Sequence, residues 1–201
     1  MYTLYYLPNA CSLATQIVLR ELGQEMTLVN KNSSEDFSAL NPVGMVPVLI
    51  DNDTTVREGA AVMLHILSKH QNSFLPTEHS ARTKAIQDIM FANATMHPAY
   101  SRLFFIANNL ADGDAKNQAF ESAATAINKL WQVVDEQLSK QPFLGGSQFG
   151  VADIMLTVYS RWGEFFPVDI RFGENTERML AAIQSLPSFQ ESIAAEQAQA
   201  A

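Results

Sequence analysis

One cysteine stands where a strand pattern gives way to a helix pattern, and its thiol is the strongest nucleophile that the sequence offers. Cys11 is the only cysteine among 201 residues, and it follows a Pro8-Asn9 corner. The free backbone N–H groups and the positive dipole end at a helix N-terminus both favour a thiolate. Tyr6 and Ser12 carry hydroxyls that can donate a hydrogen bond to such a thiolate. We therefore expect sulfur chemistry at the start of the first helix.

The roles within this segment are open to more than one interpretation. A lone cysteine is often a small buried core residue, and that alternative stays open for Cys11. Tyr5 and Tyr6 must point to opposite faces of a strand, and Tyr6, nearer the corner, is expected to face the thiol. Spacing alone does not decide whether Cys11, Ser12 or Tyr6 contacts a substrate sulfur. Cys11 is the predicted contact.

Strand and helix patterns alternate over the first 75 residues. Gly23 is expected to end the first helix, and Pro47, which cannot donate to a strand ladder, is expected to precede the third strand. The resulting order β-α-β-α-β-β-α predicts a four-stranded mixed sheet with helices packed on it. The predicted strands cover residues 3–7, 25–29, 48–50 and 54–57, and the predicted helices cover residues 13–22, 37–40 and 58–70.

Helical patterns fill the chain after a linker at residues 71–79. His97-Pro98 is expected to kink or end the first long helix, and residues 197–201 are expected to fray. The chain is thus predicted to hold an α/β domain over residues 1–75 and an all-helical domain over residues 80–201. The helices of the second domain are predicted at residues 80–110, 115–140, 150–166, 174–184 and 188–196.

Composition excludes several classes of protein. A net charge of −8 with 13 scattered basic residues argues against nucleic acid and anionic membrane surfaces. No stretch approaches the roughly 18 apolar residues of a membrane span. One cysteine cannot form an internal disulfide, and no signal pattern precedes the first strand, so we expect a cytoplasmic protein. No metal site is predicted, because the histidines lack metal-ligand spacing: His65, His70, His79 and His97.

Four segments in the same order resemble the cytosolic glutathione transferases, and the first of them resembles the bacterial beta class. The resemblance spans the whole chain and implies the fold of that family, a thioredoxin-like domain followed by an all-helical domain. The segments are Tyr6-Leu7-Pro8-Asn9-Ala10-Cys11-Ser12-Leu13-Ala14, Asn41-Pro42-Val43-Gly44-Met45-Val46-Pro47-Val48-Leu49, Arg57-Glu58-Gly59-Ala60-Ala61-Val62-Met63 and Phe149-Gly150-Val151-Ala152-Asp153-Ile154.

The resemblance implies a glutathione site in the first domain. The Cys11 thiol is expected to contact the glutathione sulfur or to form a mixed disulfide with it. The Val46-Pro47 bond is expected to be cis, with the main chain of Val46 pairing with the cysteinyl part of the ligand. The helix start at Glu58-Gly59 is expected to take the γ-glutamyl carboxylate, while Glu58 faces the ammonium group. Lys31 is the only basic residue near the short polar loop at residues 30–41, where relatives have a longer segment.

In the helical domain the resemblance implies a histidine facing the thiol and an apolar pocket for a second substrate. His97 is the candidate histidine, with a purely structural or solvated residue as the alternative. Asp153 is interpreted as a folding residue that caps the backbone at Gly150. The candidate pocket walls, each of which is also a candidate for ordinary helix packing, are Tyr100, Phe104, Arg161, Trp162, Phe165 and Phe166.

The resemblance implies a glutathione transferase that conjugates or exchanges the thiol with small hydrophobic electrophiles or disulfides, as in detoxification. Glutathione would be a co-substrate, and a homodimer would be expected. Two alternatives stay open. The chain could be a non-catalytic binding protein, since the 30–41 loop is short and Gly59 replaces a common serine. It could also be a glutaredoxin-like reductase that uses Cys11.

Overall fold

The computed structural model describes residues 1–199, which form two compact units. The first unit combines residues 1–85 with the described residues from 184 onward, and the second covers residues 86–183. The division therefore falls later than the predicted linker at residues 71–79. The last helix groups with the first unit, although it was predicted to belong to the helical domain. Residues 200 and 201 of the predicted helical domain and frayed tail lie outside the described residues.

A four-stranded mixed sheet is the centre of the first unit, as predicted. Its order is β2-β1-β3-β4, with β1 parallel to β2 and antiparallel to β3, and with β3 antiparallel to β4. Leu4 pairs with Leu28 on one side and Leu49 on the other and is fully buried. The strands are β1 Tyr2–Tyr6, β2 Met26–Asn30, β3 Val48–Asp51 and β4 Thr54–Arg57.

Three helices alternate with these strands in the chain, α1 after β1, α2 after β2 and α3 after β4. They are α1 Ser12–Glu21, α2 Phe37–Leu40 and α3 Gly59–Lys69. The end of α1 shows why Gly23 stands there. Gly23 has a φ of +63°, and its N–H donates to the carbonyl of Arg20 while Gln24 donates to Leu19. This pair of bonds satisfies the last carbonyls of the helix and needs a left-handed residue, which glycine adopts without strain.

Helices make up the second unit and the end of the chain. The predicted helix at 80–110 is two helices joined by a π-helical turn at Ala92–Met96. Pro98, at the start of the second of them, has no N–H to continue the regular ladder, which explains the interruption. The helices are α4 His79–Phe91, α5 His97–Asn109, α6 Asp114–Leu138, α7 Val151–Ser160, α8 Glu174–Gln184 and α9 Pro187–Ala198, with a 3₁₀ turn at Arg161–Phe165.

Asp153 caps the start of α7, which confirms the predicted contact with the backbone at Gly150. Its buried carboxylate accepts backbone hydrogen bonds from Leu144 at 2.9 Å, Gly145 at 3.4 Å and Gly150 at 2.8 Å. Burial raises the pKa of this carboxyl to about 6, although the three N–H donors favour its charged form.

Across residues 1–199, none of the helices combines the length and apolar character that a membrane crossing requires.

Candidate functional site

The corner between β1 and α1 is built by backbone geometry and one buried hydroxyl. Asn9 has a φ of +59°, a left-handed conformation that asparagine tolerates better than most residues. The Ser12 hydroxyl is fully buried, donates to the Leu7 carbonyl and accepts from the Leu7 N–H, both at 3.4 Å. These contacts close the corner and leave Cys11 as the residue that precedes α1.

Cys11 is half-buried, and its thiol is a hydrogen-bond donor. Its Sγ donates a hydrogen bond to the carbonyl oxygen of Val46 at 3.2 Å. Burial raises the pKa of the Cys11 thiol to about 11; backbone N–H groups of Cys11 and Ser12 lower it by less, and the Glu58 carboxylate raises it further. In the free protein desolvation outweighs the helix N-terminus and favours the neutral thiol over the expected thiolate.

The loop before β3 presents Val46 to the thiol. The Val46-Pro47 bond is cis, which confirms the prediction, and β3 begins at the next residue. Asn41 braces the loop through its side chain, which donates to the Met45 carbonyl at 2.8 Å and accepts from the Val43 N–H at 3.2 Å. Val46 itself is buried against the sheet.

Lys31 contributes to the same loop from the other side. Its ammonium group donates to the Gly44 carbonyl at 2.8 Å and lies 5.8 Å from the centre of the Phe37 ring. The predicted ligand-binding cation is thus used in the free protein to hold the loop that carries Val46. A negatively charged ligand would have to compete for it or share it.

Glu58 occupies a strained backbone conformation at the start of α3. Its φ of +71° and ψ of 123° are rare for a residue with a Cβ, and its side chain is exposed. Non-glycine residues in such regions cost about 1–3 kcal/mol and cluster at ligand-binding positions. The Glu58 side chain makes no capping bond to the helix, so its carboxylate is available to a ligand near the positive end of α3.

Two of the predicted site residues are in contact in the first unit, because Cys11 donates its thiol hydrogen bond to Val46. Glu58 acts on the same thiol through its charge, which raises the pKa of Cys11. The group combines a neutral thiol, a main-chain carbonyl, a carboxylate and a helix N-terminus. These groups can bind a zwitterionic ligand with a sulfur atom.

Tyr6 and Ser12 are placed differently from the sequence-based expectation. Tyr6 is fully buried, and its hydroxyl donates to Oε1 of Gln199 at 3.0 Å, just beyond α9. Burial, with the Glu196 carboxylate nearby, raises the pKa of Tyr6. The donor of Tyr6 is used by Gln199 and the donor of Ser12 by the corner, so neither is directed to the Cys11 thiol.

His97 lies in an aromatic cluster of the second unit. Its ring stands edge-on to Tyr159 at 5.2 Å and to Trp162 at 5.1 Å between centroids, and its Nδ1 lies 3.3 Å from the Ser101 hydroxyl. Burial lowers the pKa of His97, so the imidazole is neutral at neutral pH. A neutral imidazole can donate one hydrogen bond to a ligand but carries no charge to offer it.

The predicted pocket walls divide into core and surface residues. Tyr100 is fully buried and its hydroxyl accepts from Trp131 Nε1 at 2.8 Å, while Trp162 is 4% exposed and stacks on Tyr159. These two belong to the core of the second unit, which corrects their assignment as walls, because the Tyr100 hydroxyl is already hydrogen-bonded and the Trp162 ring is buried against Tyr159. Phe104 and Phe165 are 37% and 52% exposed and remain candidates.

Two further groups were missed by the sequence. Asp51 at the end of β3 accepts from His65 at 2.7 Å and from Lys69 at 2.5 Å, and the Lys69 contact is the main cause that lowers the pKa of Asp51. His65 and Lys69 share a helix face at i and i+4, but no local sequence pattern indicates that Asp51 is their partner.

A groove of about 990 Å³ runs along α6 in the second unit. Residues 1–199 contain no cluster of three or more metal-ligating side chains.

Two family models match the chain. The one described as "Glutathione S-transferase, N-terminal domain" matches residues 13–74, and the one described as "Glutathione S-transferase, C-terminal domain" matches residues 86–178. The chain is also similar to "Glutathione S-transferase GST-4.5" of Xanthomonas campestris. The identity is 34% over 173 residues, which cover 83% of this chain and 85% of the relative.

Solved structures agree with the fold of the whole chain. A bacterial beta class glutathione S-transferase from Sphingomonas chungbukensis is 29% identical, with a TM-score of 0.82 over 96% of this chain and 98% of that one. A sphingomonad glutathione S-transferase complexed with glutathione is 28% identical, with a TM-score of 0.83 over 97% of this chain and 98% of that one.

Proposed function

This chain belongs to the glutathione S-transferase family, and from that premise we propose that its first unit binds glutathione at Cys11, Val46 and Glu58 and transfers the thiol to a small electrophile. The observation that carries the proposal is the hydrogen bond from the Cys11 thiol to the Val46 carbonyl, beside the helix start at Glu58. This bond places a sulfur atom beside a main-chain carbonyl just before β3. An extended peptide that contains cysteine can pair its backbone with that main chain and bring its sulfur to Cys11.

The proposed binding mode uses each group for one part of glutathione. The N–H groups at the start of α3 bind the γ-glutamyl carboxylate, and the Glu58 carboxylate binds the ammonium group. The main chain of Val46 pairs with the cysteinyl residue, which brings the glutathione sulfur to Cys11. Lys31 is the proposed partner of the glycine carboxylate, since it is the cation that braces this loop.

In the proposed mechanism Cys11 is a hydrogen-bond donor to the glutathione sulfur. When the cysteinyl residue takes the Val46 carbonyl, the Cys11 S–H is released and can donate to the bound thiol. That donor and the N-terminus of α1 favour loss of the glutathione proton to water, which leaves a thiolate. The thiolate attacks the electrophilic carbon, a carbon–sulfur bond forms, and the leaving group departs with its electron pair.

The protonated state of Cys11 favours transfer over the alternative reductase activity. A reductase needs the cysteine itself as the attacking thiolate, and a pKa of about 11 leaves little thiolate at neutral pH. A hydrogen-bond donor, by contrast, must keep its proton. The non-catalytic alternative predicts binding of glutathione without turnover.

Several finer features of the function belong to the same proposal. The resemblance to the beta class supports a homodimer, a hydrophobic electrophile and a role in detoxification. The single cysteine supports a reducing cytoplasm as the compartment. We assign Phe104 and Phe165 to the pocket of the electrophile because both rings are exposed. We also assign His97 to this pocket, as a neutral hydrogen-bond donor.

Conjugation of glutathione to 1-chloro-2,4-dinitrobenzene tests the proposal, with hydroxyethyl disulfide reduction measured in parallel. The wild type is expected to catalyse the conjugation with saturation in glutathione. Cys11→Ala is expected to lose about tenfold in kcat, the typical effect of one hydrogen bond to a charged group. No conjugation by the wild type would overturn the transferase proposal. Disulfide reduction that is fast in the wild type and absent in Cys11→Ala would favour the reductase.

A further inference from the structure

The last helix of the chain reaches the corner that carries the thiol. The Glu196 carboxylate accepts a hydrogen bond from the backbone N–H of Asn9 at 2.9 Å through Oε2. Its Oε1 accepts from the side-chain amide of Gln16 on α1 at 2.7 Å. One buried carboxylate of α9 therefore ties the corner to the first turns of α1. Cys11 lies between these two contact points in the chain.

The contact is buried, which makes it costly to leave incomplete. Glu196 is 4% exposed and Gln16 is fully buried. A carboxylate removed from water is stable only when hydrogen bonds replace its hydration. Asn9 has a left-handed backbone, and Glu196 supplies an acceptor for its N–H.

The rest of α9 supports Glu196 rather than competing with it. Ser192, one turn earlier, accepts from Arg20 Nε at 3.1 Å, and Gln199 accepts from the Tyr6 hydroxyl at 3.0 Å. The helix is thus fixed to α1 and to the end of β1 on both sides of Glu196. A displacement of Glu196 would require several of these bonds to break together.

We propose that Glu196 is a positioning residue for the thiol site, because it fixes the Asn9 corner and thereby the distance between Cys11 Sγ and the Val46 carbonyl. Glu196 acts through the corner, by its bonds to Asn9 and Gln16. The inference rests on the proposed function only in that Cys11 belongs to its site. The Glu196 contacts belong to the free protein, so the positioning role can be tested without glutathione.

The pH dependence of Cys11 alkylation by iodoacetamide, followed by mass spectrometry, tests this role. Glu196→Ala removes the carboxylate that accepts from the Asn9 N–H and from Gln16, so the corner is expected to relax and the Cys11–Val46 bond to be lost for part of the time. The thiol then gains access to water, and its pKa falls toward the ordinary range. We expect alkylation at about pH 8 to become at least about tenfold faster, the effect of one pKa unit on the thiolate fraction.

Two matched variants separate positioning from general damage. Glu196→Gln keeps the shape: its amide oxygen can accept from Asn9, and its amide nitrogen can donate to Gln16 Oε1, which is buried without a partner, once the Gln16 amide turns over. This variant is expected to show the wild-type alkylation profile. Glu191→Gln removes a carboxylate of the same helix that is 62% exposed and pairs with Arg20 at 3.4 Å. This variant is also expected to match the wild type.

The outcomes are decisive in each case. Circular dichroism and thermal melts establish that the variants are folded. Should Glu196→Ala not fold, Glu196→Asp, which is one methylene shorter and cannot reach both partners, takes its place with the same expected acceleration. A folded Glu196→Ala or Glu196→Asp with the wild-type alkylation profile would overturn the proposal. Because no glutathione is present, failure of the transferase assay leaves this result unaffected.

Discussion

The Sγ atom of Cys11 lies 3.2 Å from the carbonyl oxygen of Val46 and donates a hydrogen bond to it. In the proposed function this carbonyl serves two donors in turn, the thiol of the free protein and the cysteinyl residue of bound glutathione. The thiol is protonated in the free state because burial outweighs the backbone N–H groups that favour its charge. In the proposed mechanism, ligand binding frees the Cys11 S–H to donate a hydrogen bond to the glutathione thiolate.

The first prediction concerns the pH at which Cys11 reacts. Burial raises the pKa of the thiol to about 11, and only the thiolate is alkylated. The rate of alkylation of the wild type by iodoacetamide is therefore expected to rise about tenfold per pH unit between pH 7 and 10 without levelling off. Cys11→Ala supplies the background rate. A plateau reached below about pH 9 would show an ordinary thiol and contradict the burial argument.

Tyr6→Phe tests the assignment of Tyr6 to the contact with Gln199. The variant loses the hydroxyl that donates to Gln199 at 3.0 Å, so the free energy of unfolding is expected to fall by about 1 kcal/mol. The conjugation rate is expected to stay within about twofold of the wild type, since the hydroxyl is not directed to the thiol. Urea denaturation and kcat/KM for glutathione measure the two effects.

A large fall in kcat with unchanged stability would reverse this assignment and return Tyr6 to the proposed catalytic set. Cys11→Ala, measured in the same assay, gives the size of effect expected from a residue that does contact the sulfur.

Glu58 is predicted to lower the free energy of unfolding through its strained backbone and to improve glutathione binding through its carboxylate. Glu58→Gln removes the charge that faces the ammonium group, so KM for glutathione is expected to rise about tenfold with little change in kcat. Glu58→Gly is expected to raise KM similarly. It should also raise the free energy of unfolding by up to about 1 kcal/mol, because glycine relieves the strain at φ +71°.

Steady-state kinetics in glutathione and urea denaturation of both variants provide the comparison. If KM is unchanged in Glu58→Gln, Glu58 does not face the ligand. If Glu58→Gly is less stable than Glu58→Gln, the strain argument fails.

Asp153 is predicted to control stability and its pH dependence rather than catalysis. Asp153→Ala leaves three backbone N–H groups without their acceptor and is expected to lower the free energy of unfolding by about 3 kcal/mol. In the wild type the folded-state pKa of Asp153 is about 6, above the unfolded value of about 3.9. The folded state then holds a proton that the unfolded state has lost, so this contribution to stability declines as pH rises from about 4 to about 6.

Urea denaturation of the wild type and Asp153→Ala across that pH window measures the effect. Asp169→Ala, which removes an exposed partner of Arg171, is the control and is expected to change stability by less than about 1 kcal/mol. A difference between wild type and Asp153→Ala that grows with pH would contradict the predicted sign.

Local signals predicted the fold well. The Gly23 helix end and the position of Pro47 before β3 follow from short segments whose chemistry allows few conformations. The cis bond at Val46 was expected from the family resemblance and not from local chemistry, since most X-Pro bonds are trans. The same kind of signal predicted the order of strands and helices in the first 75 residues, and the structure confirms that order. Asp153 was also recognised, because its cap involves residues only a few positions away.

Long-range contacts explain what the sequence did not reveal. The protonation of Cys11 depends on how deeply the corner is buried, and no local pattern encodes that burial. Tyr6 meets Gln199, and Asn9 meets Glu196, across almost the whole length of the chain. Tyr100 and Trp162 looked like pocket walls because aromatic residues suit both pockets and cores, and their packing partners decide between the two.

Backbone amide chemical shifts of the ¹⁵N-labelled protein, titrated with glutathione, test the central claim most directly. The largest changes are expected at Cys11, Val46 and Gly59, since these main-chain groups surround the proposed ligand. In Glu58→Gln the same resonances are expected to shift, but at higher glutathione concentrations, because the affinity for glutathione is lower. Saturating glutathione that leaves these three resonances in place, or shifts a different region instead, would contradict the proposed site.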